Sequence, residues 1–104
     1  MYNKTISKQL TEIMKLCYQI NNVETNREET GNLPTVFLDF MGHTCQLNIR
    51  VYADGWMSGE DPDFSGKVYL DENPDDVIAE LTELIERLDA TLKYKARKEK
   101  KRNV

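Results

Sequence analysis

From Thr44 to Ala53 the chain alternates apolar and polar residues, with Cys45, Leu47, Ile49, Val51 and Ala53 set against Gln46, Asn48, Arg50 and Tyr52. A period of two marks a strand buried on one face. Val36, Leu38 and Phe40 alternate in the same way just upstream. Gly42-His43 separates the two runs and Asp54-Gly55 follows the second, and both pairs are short hairpin signals. Two-residue loops set Phe40 opposite Cys45, Leu38 opposite Leu47 and Val36 opposite Ile49. The second loop then sets Ala53 opposite Trp56 and Val51 opposite Ser58. Both registers keep apolar partners on one face, which a slip of one residue would not. Gly59 to Gly66 reads as a turn-rich segment. Lys67 to Leu70 reads as a fourth strand, with Val68 and Leu70 inward and Lys67 and Tyr69 outward.

The flanks carry a helical period instead. In residues 5–23, Ile6, Leu10, Ile13, Cys17 and Ile20 form one stripe, widened by Met14 and Leu16. Asn3 or Thr5 can cap its start, and it should end near Asn21-Asn22. The polar stretch Glu24 to Asn32 reads as a surface loop, and Pro34 admits the first strand. A second helix starts at Asn73, an N-cap, with Pro74 in the first turn and Asp75 and Asp76 matching the helix dipole. Val77, Ile78, Leu81, Leu84, Ile85, Leu88 and Leu92 make its apolar stripe. Glu83 with Arg87, and Asp89 with Lys93, are spaced for ion pairs along it. Beyond Leu92 the stripe fails, because Lys95 and Glu99 take positions that should face the core. The expected architecture is one α+β domain over residues 1–92, of order α-β-β-β-β-α. It is an antiparallel meander with both helices packed on one face, followed by a basic C-terminal helical extension, 93–104.

At 104 residues the chain is long enough for one domain with a usable core. A 31% charged and 39% hydrophobic composition is that of a soluble globular protein. The start of the chain lacks the apolar segment of a signal peptide, and no apolar run approaches membrane-spanning length. The expectation is therefore cytoplasmic, with Cys17 and Cys45 as buried, reduced thiols on inward-facing positions.

Charge is distributed unevenly. Residues 93–104 hold Lys93, Lys95, Arg97, Lys98, Lys100, Lys101 and Arg102 against Glu99, a net +6, whereas the whole chain is −4, so the other 92 residues carry −10. A basic tail on an acidic body suits phosphate contacts through Lys95, Arg97, Lys98, Lys100, Lys101 and Arg102. It equally suits docking on an acidic protein, or a helix end that merely complements its own dipole. An acidic body also invites comparison with inhibitors that imitate nucleic acid.

Catalytic chemistry has little to build on. His43 is the sole histidine, and a hairpin turn accounts for it. Glycine-rich phosphate loops, metal-ligand clusters and nucleophile motifs are missing from the sequence, so neither an enzyme nor a cofactor is expected. Asp61, Asp63, Ser65, Gly66, Val68 and Glu72 follow the ligand spacing of an EF-hand loop. Strand alternation precedes them where an entering helix is required, so an acidic loop is the better reading and no metal is assigned.

The even-numbered face of the central strand is more informative. Phe37, Met41, Tyr52 and Met57, joined by Arg50, make this open face more apolar than solvation requires. They are the candidate partner-binding residues, weighed against surface hydrophobes that are merely scattered. The hairpin core HTCQLNIRVYADGW, followed by an acidic loop and a long charged C-terminal helix, resembles small uncharacterised proteins carried by prophages and mobile elements of Gram-positive bacteria. That resemblance spans most of the chain without a diagnostic motif, and it assigns no functional residue. It implies a small non-enzymatic protein acting on a host or phage partner. The expected function is a protein-interaction module, a homo-oligomer or adaptor binding through the open face. The alternatives are a nucleic-acid accessory protein using the tail, or an acidic mimic of nucleic acid.

Overall fold

A computed structural model describes residues 3–22 and 32–102, and the polar stretch before Asn32 lies outside them. The order is α1 (Lys4–Asn21), β1 (Thr35–Met41), β2 (Gln46–Tyr52), β3 (Phe64–Tyr69) and α2 (Pro74–Arg102). Both helices start on the caps that the sequence offers. The Asn3 side chain accepts from the Ile6 N–H at 3.0 Å, and that of Asn73 accepts from the Asp75 N–H at 2.9 Å. The three strands form one antiparallel sheet, β1-β2-β3, with β2 in the middle. Its inner face supplies Val36, Leu47, Ile49, Val51 and Val68 to the core. Ile13, Leu16, Cys17 and Ile20 of α1 close over them, with Val77, Leu81, Leu84 and Leu88 of α2.

The expected parity holds, but the first register does not. Phe40 pairs with Leu47, Leu38 with Ile49 and Val36 with Val51, two residues along from the expected set. A two-residue turn of the common hairpin types needs a left-handed residue in its centre. Gly42 does not take that conformation. The left-handed residue is Cys45, at φ 53°, so the loop widens to Gly42–Cys45. A shift of two leaves every side chain on its original face. Cys45 thereby leaves the strand for the turn, where it is half-buried, while Cys17 stays in the core.

The second expected hairpin is replaced. Gly55, at φ 97°, does turn the chain, but Trp56 to Ser58 form no strand. A strand has two edges, and the second edge of β2 is taken by β3, which pairs Val51 with Phe64, Ile49 with Gly66 and Leu47 with Val68. Asp63 fastens the change of direction: its N–H donates to the Val51 carbonyl at 2.8 Å, and its carboxylate accepts from the Ala53 N–H at 2.7 Å. Among the described residues the sheet therefore has three strands where four were expected. Because β3 runs extended through residues 64–69, it separates Asp61 and Asp63 from Glu72, and these acids cannot close as an EF-hand loop.

Candidate interaction surfaces

Three surfaces bear on function: the open face of the sheet, the C-terminal part of α2, and the flank where α1 overhangs β1. The open face keeps its expected composition but spends part of it internally. Tyr52, only 5% exposed, meets the Phe37 ring edge-on at 5.6 Å between centroids. Trp56, expected opposite Ala53 on the inner face, lies instead against Phe37 at 6.0 Å. The Arg50 guanidinium sits 4.8 Å over Phe37 and 3.7 Å from the Asp39 carboxylate. Phe37 and Tyr52 are thus the base of an aromatic cluster under the 53–63 loop, and of the expected contact residues Met41 and Met57 are the exposed ones. The middle of this face, where Asp39, Asn48, Arg50 and Lys67 stand beside Met41 and Ile49, is a shallow depression of about 300 Å³ with a mixed polar and apolar wall. Trp56 is the residue the sequence reading missed there. Its place depends on a loop path that no local period encodes.

Lys95 and Lys98 of the basic segment turn inward. Lys95 is 4% exposed, and its ammonium donates to the Gln19 and Asn22 carbonyls, each at 2.8 Å. Those carbonyls are among the unpaired acceptors at the end of α1. Lys98 donates to the Asn32 carbonyl at 2.6 Å and contacts the Asp54 carboxylate, which also accepts from the Tyr94 hydroxyl at 2.6 Å. These hydrogen bonds to Lys98 and Tyr94 hold the Asp54 carboxyl below the ordinary value of 3.8. For Lys98, burial is the largest single influence and acts downward, but the hydrogen bonds and charges of Asp54 and Tyr94 outweigh it, so the net shift is upward from 10.5. Lys95 and Lys98 therefore bind the chain to itself. Arg97 and Lys100 remain exposed, as does Lys93, which pairs with Asp89 at 3.1 Å; Lys101 and Arg102 lie on α2, and nothing is described of their side chains. At about 100° per residue, Lys93, Arg97 and Lys100 fall on the side of α2 opposite Lys95.

The third surface is apolar. Leu10, Ile13 and Met14 of α1, Leu38 and Phe40 of β1, Leu47 of β2 and Leu70 line a recess of about 250 Å³ with almost no polar atoms in its wall. Phe40 and Met14 stand at its rim, 57% and 56% exposed. Leu38 and Phe40 belong to the expected core face; Leu38 is half-buried against the core, whereas the Phe40 side chain is left exposed.

Among the described residues no group of three or more His, Cys, Asp or Glu side chains is placed to hold a metal, and no helix is long and apolar enough to cross a membrane. His43 lies exposed in the β1–β2 turn. Comparison with family models, curated proteins and solved structures returned no match to this chain.

Proposed function

We propose that this protein is a small non-enzymatic interaction module whose docking surface is the recess between α1 and β1. The observation that carries the reading is the apolar wall of that recess together with its two exposed rim residues, Phe40 and Met14. Single exposed hydrophobes are ordinary; exposed hydrophobes gathered around an apolar hole mark a place where another surface fits. This reading moves the contact from the open face of the sheet, whose central depression has a mixed wall and charged side chains around it, to the edge of its inner face, where the wall is almost wholly apolar. Met14→Lys and Phe40→Lys, each checked for an unchanged circular dichroism spectrum, test it beside the wild type. The assays are sedimentation of the purified protein and crosslinked capture from source cells. A bound species, either another protein or a second copy, that the wild type holds and both variants lose supports the reading. A wild type with no bound species, or one whose bound species survives both substitutions, overturns it.

One observation favours a second reading. The exposed row of Lys93, Arg97 and Lys100 is a cationic ridge at the end of α2, suited to phosphates or an acidic partner. A gel shift that weakens steeply with salt and is lost on combined Lys93→Gln, Arg97→Gln and Lys100→Gln substitution supports nucleic acid as the ligand. Binding that is indifferent to those substitutions removes it.

A further inference from the structure

Which backbone groups of β1 face outward is settled by hydrogen bonds on both sides of the sheet. The Asn21 side-chain amide donates to the Val36 carbonyl and accepts from the Val36 N–H, both at 2.8 Å. On β2 the carbonyl of Val51 accepts from Asp63, and that of Cys45, in the turn leading into β2, accepts from Leu70, so the odd-numbered residues there turn their polar groups towards β3. An antiparallel ladder alternates its bonds. Val36, Leu38 and Phe40, which stand opposite odd-numbered residues of β2, must therefore turn their N–H and C=O away from it. Asn21 occupies the groups of Val36. Among the described residues, nothing meets those of Leu38 and Phe40.

This open backbone lies directly beneath an apolar roof. Around α1, at about 100° per residue, Met14 and Tyr18 follow Asn21 on the flank that meets β1. Tyr18 is 68% exposed. A strand added beside β1 would be paired along one side and covered on the helical side by Met14, Tyr18 and Leu10. It would need apolar residues at alternate positions, with free N–H and C=O groups at the same residues. Few segments meet both conditions, and β1 itself is one of them.

We propose that a second copy of this chain docks here, its β1 adding antiparallel to β1 about a two-fold axis at Asp39, so that two three-stranded sheets become one. The proposal rests on the docking reading above and names its partner. The frame follows from the free groups. Setting Leu38 opposite Phe40 of the second copy uses both open residues of each chain. Centring on Leu38 sets Phe40 against Val36, whose groups Asn21 already holds. Centring on Phe40 sets Leu38 against the turn. In the chosen frame the exposed Phe40 of each copy approaches the recess of the other, so one surface supplies both projection and hollow, as a two-fold interface requires. The two Asp39 carboxylates meet on the open face, each with its own Arg50 at 3.7 Å to offset the repulsion.

The test is sedimentation of the full chain over a rising concentration range, combined with cysteine crosslinking. The expected result is growth from the 12.1 kDa monomer to twice that mass, with Phe40→Lys staying monomeric at every concentration. Residues in a non-hydrogen-bonded antiparallel pair are close enough for a disulfide. Under mild oxidation Asp39→Cys should give a covalent dimer on the order of tenfold faster than Lys67→Cys, on the far strand, or than the wild type with Cys17 and Cys45 alone. A wild type that is monomeric throughout overturns the proposal. So does a dimer in which Asp39→Cys crosslinks no faster than Lys67→Cys. If the monomeric protein still loses another partner on Met14→Lys, the docking reading survives and only the self-pairing fails. A dimer insensitive to both Met14→Lys and Phe40→Lys overturns the two together.

Discussion

Lys95 sits where the stripe of α2 calls for an apolar side chain, and what makes a lysine acceptable there is a pair of carbonyls from another helix. Its apolar stem joins the core while its ammonium closes the last turn of α1. Lys95→Ala removes two charge-assisted bonds and leaves their acceptors unpaired, for an expected loss of about 2–3 kcal/mol, read as a lower urea midpoint with an unchanged m-value. Lys98, Asp54 and Tyr94 form a second, more exposed fastening. Asp54 has its folded value depressed, so its contribution is present above 3.8 and lost as pH falls through the folded value; Lys98 has its folded value raised, so its contribution is present below 10.5 and lost as pH rises through the folded value. Asp54→Asn should therefore lower the melting temperature at pH 7, and the gap to the wild type should close in acid. The size expected is that of an exposed pair, roughly 0.2–1 kcal/mol. Burial pushes the Cys17 thiol up to about 11. Brief alkylation of the folded protein should label Cys45 first and reach Cys17 only on unfolding.

Among the elements, β2 shows how a pattern settles one property and leaves the next open. Its alternation assigns faces, because inward and outward positions differ in hydration whatever the partner. Alternation cannot choose between registers two residues apart, which bury the same side chains. Turn geometry made that choice, through a left-handed Cys45 that its side-chain type does not advertise. The fourth expected strand, Lys67 to Leu70, overlaps β3, but the same limit hid its first half, where Gly66 interrupts the inner row Phe64, Gly66, Val68. The structure explains the glycine. A Cβ there would lie 2.6 Å from Cδ2 of Leu84 and 3.2 Å from the Phe64 ring, over which the Arg87 guanidinium sits at 4.5 Å. Gly66→Ala should destabilise by about 1–2 kcal/mol, since Leu84 is held in the core and can yield only partly. Trimming Leu84 to alanine in the same protein should make the two losses less than additive in denaturant titration.

Taken together, the described residues form a three-stranded sheet roofed by two helices that grip each other at both ends. Gln9 donates to the Ile78 carbonyl and to the Thr82 hydroxyl near one end, and Lys95 closes the other. Its charge is segregated along α2, with Asp75 and Asp76 at the start and the cations at the finish. The segment from 93 onward therefore has two parts in one: a fastening made by Tyr94, Lys95 and Lys98, and an outward ridge made by Lys93, Arg97 and Lys100. Deleting residues 93–104 should lower the thermal midpoint by several degrees, because it strips α1 of its C-terminal partner as well as removing charge. Neutralising only the ridge should leave the midpoint nearly unchanged. A fall of equal size in both proteins would show that the fastening contributes nothing.

Local signals were enough for both helices, their caps, the parity of the strands and most of the core residues. Each of these is set by hydration along a short stretch or by one side chain reaching its own backbone. Phe40, Cys45 and Ala53, expected inward, stayed out of the core, and Tyr52, expected outward, is buried. The strand count, the register of β1, the position of Trp56 and the duties of Lys95 and Lys98 were not legible. They depend on which distant groups compete for one strand edge or one pair of carbonyls. The open edge of β1 belongs with them, because a backbone group is known to lack a partner only once every neighbour has been placed.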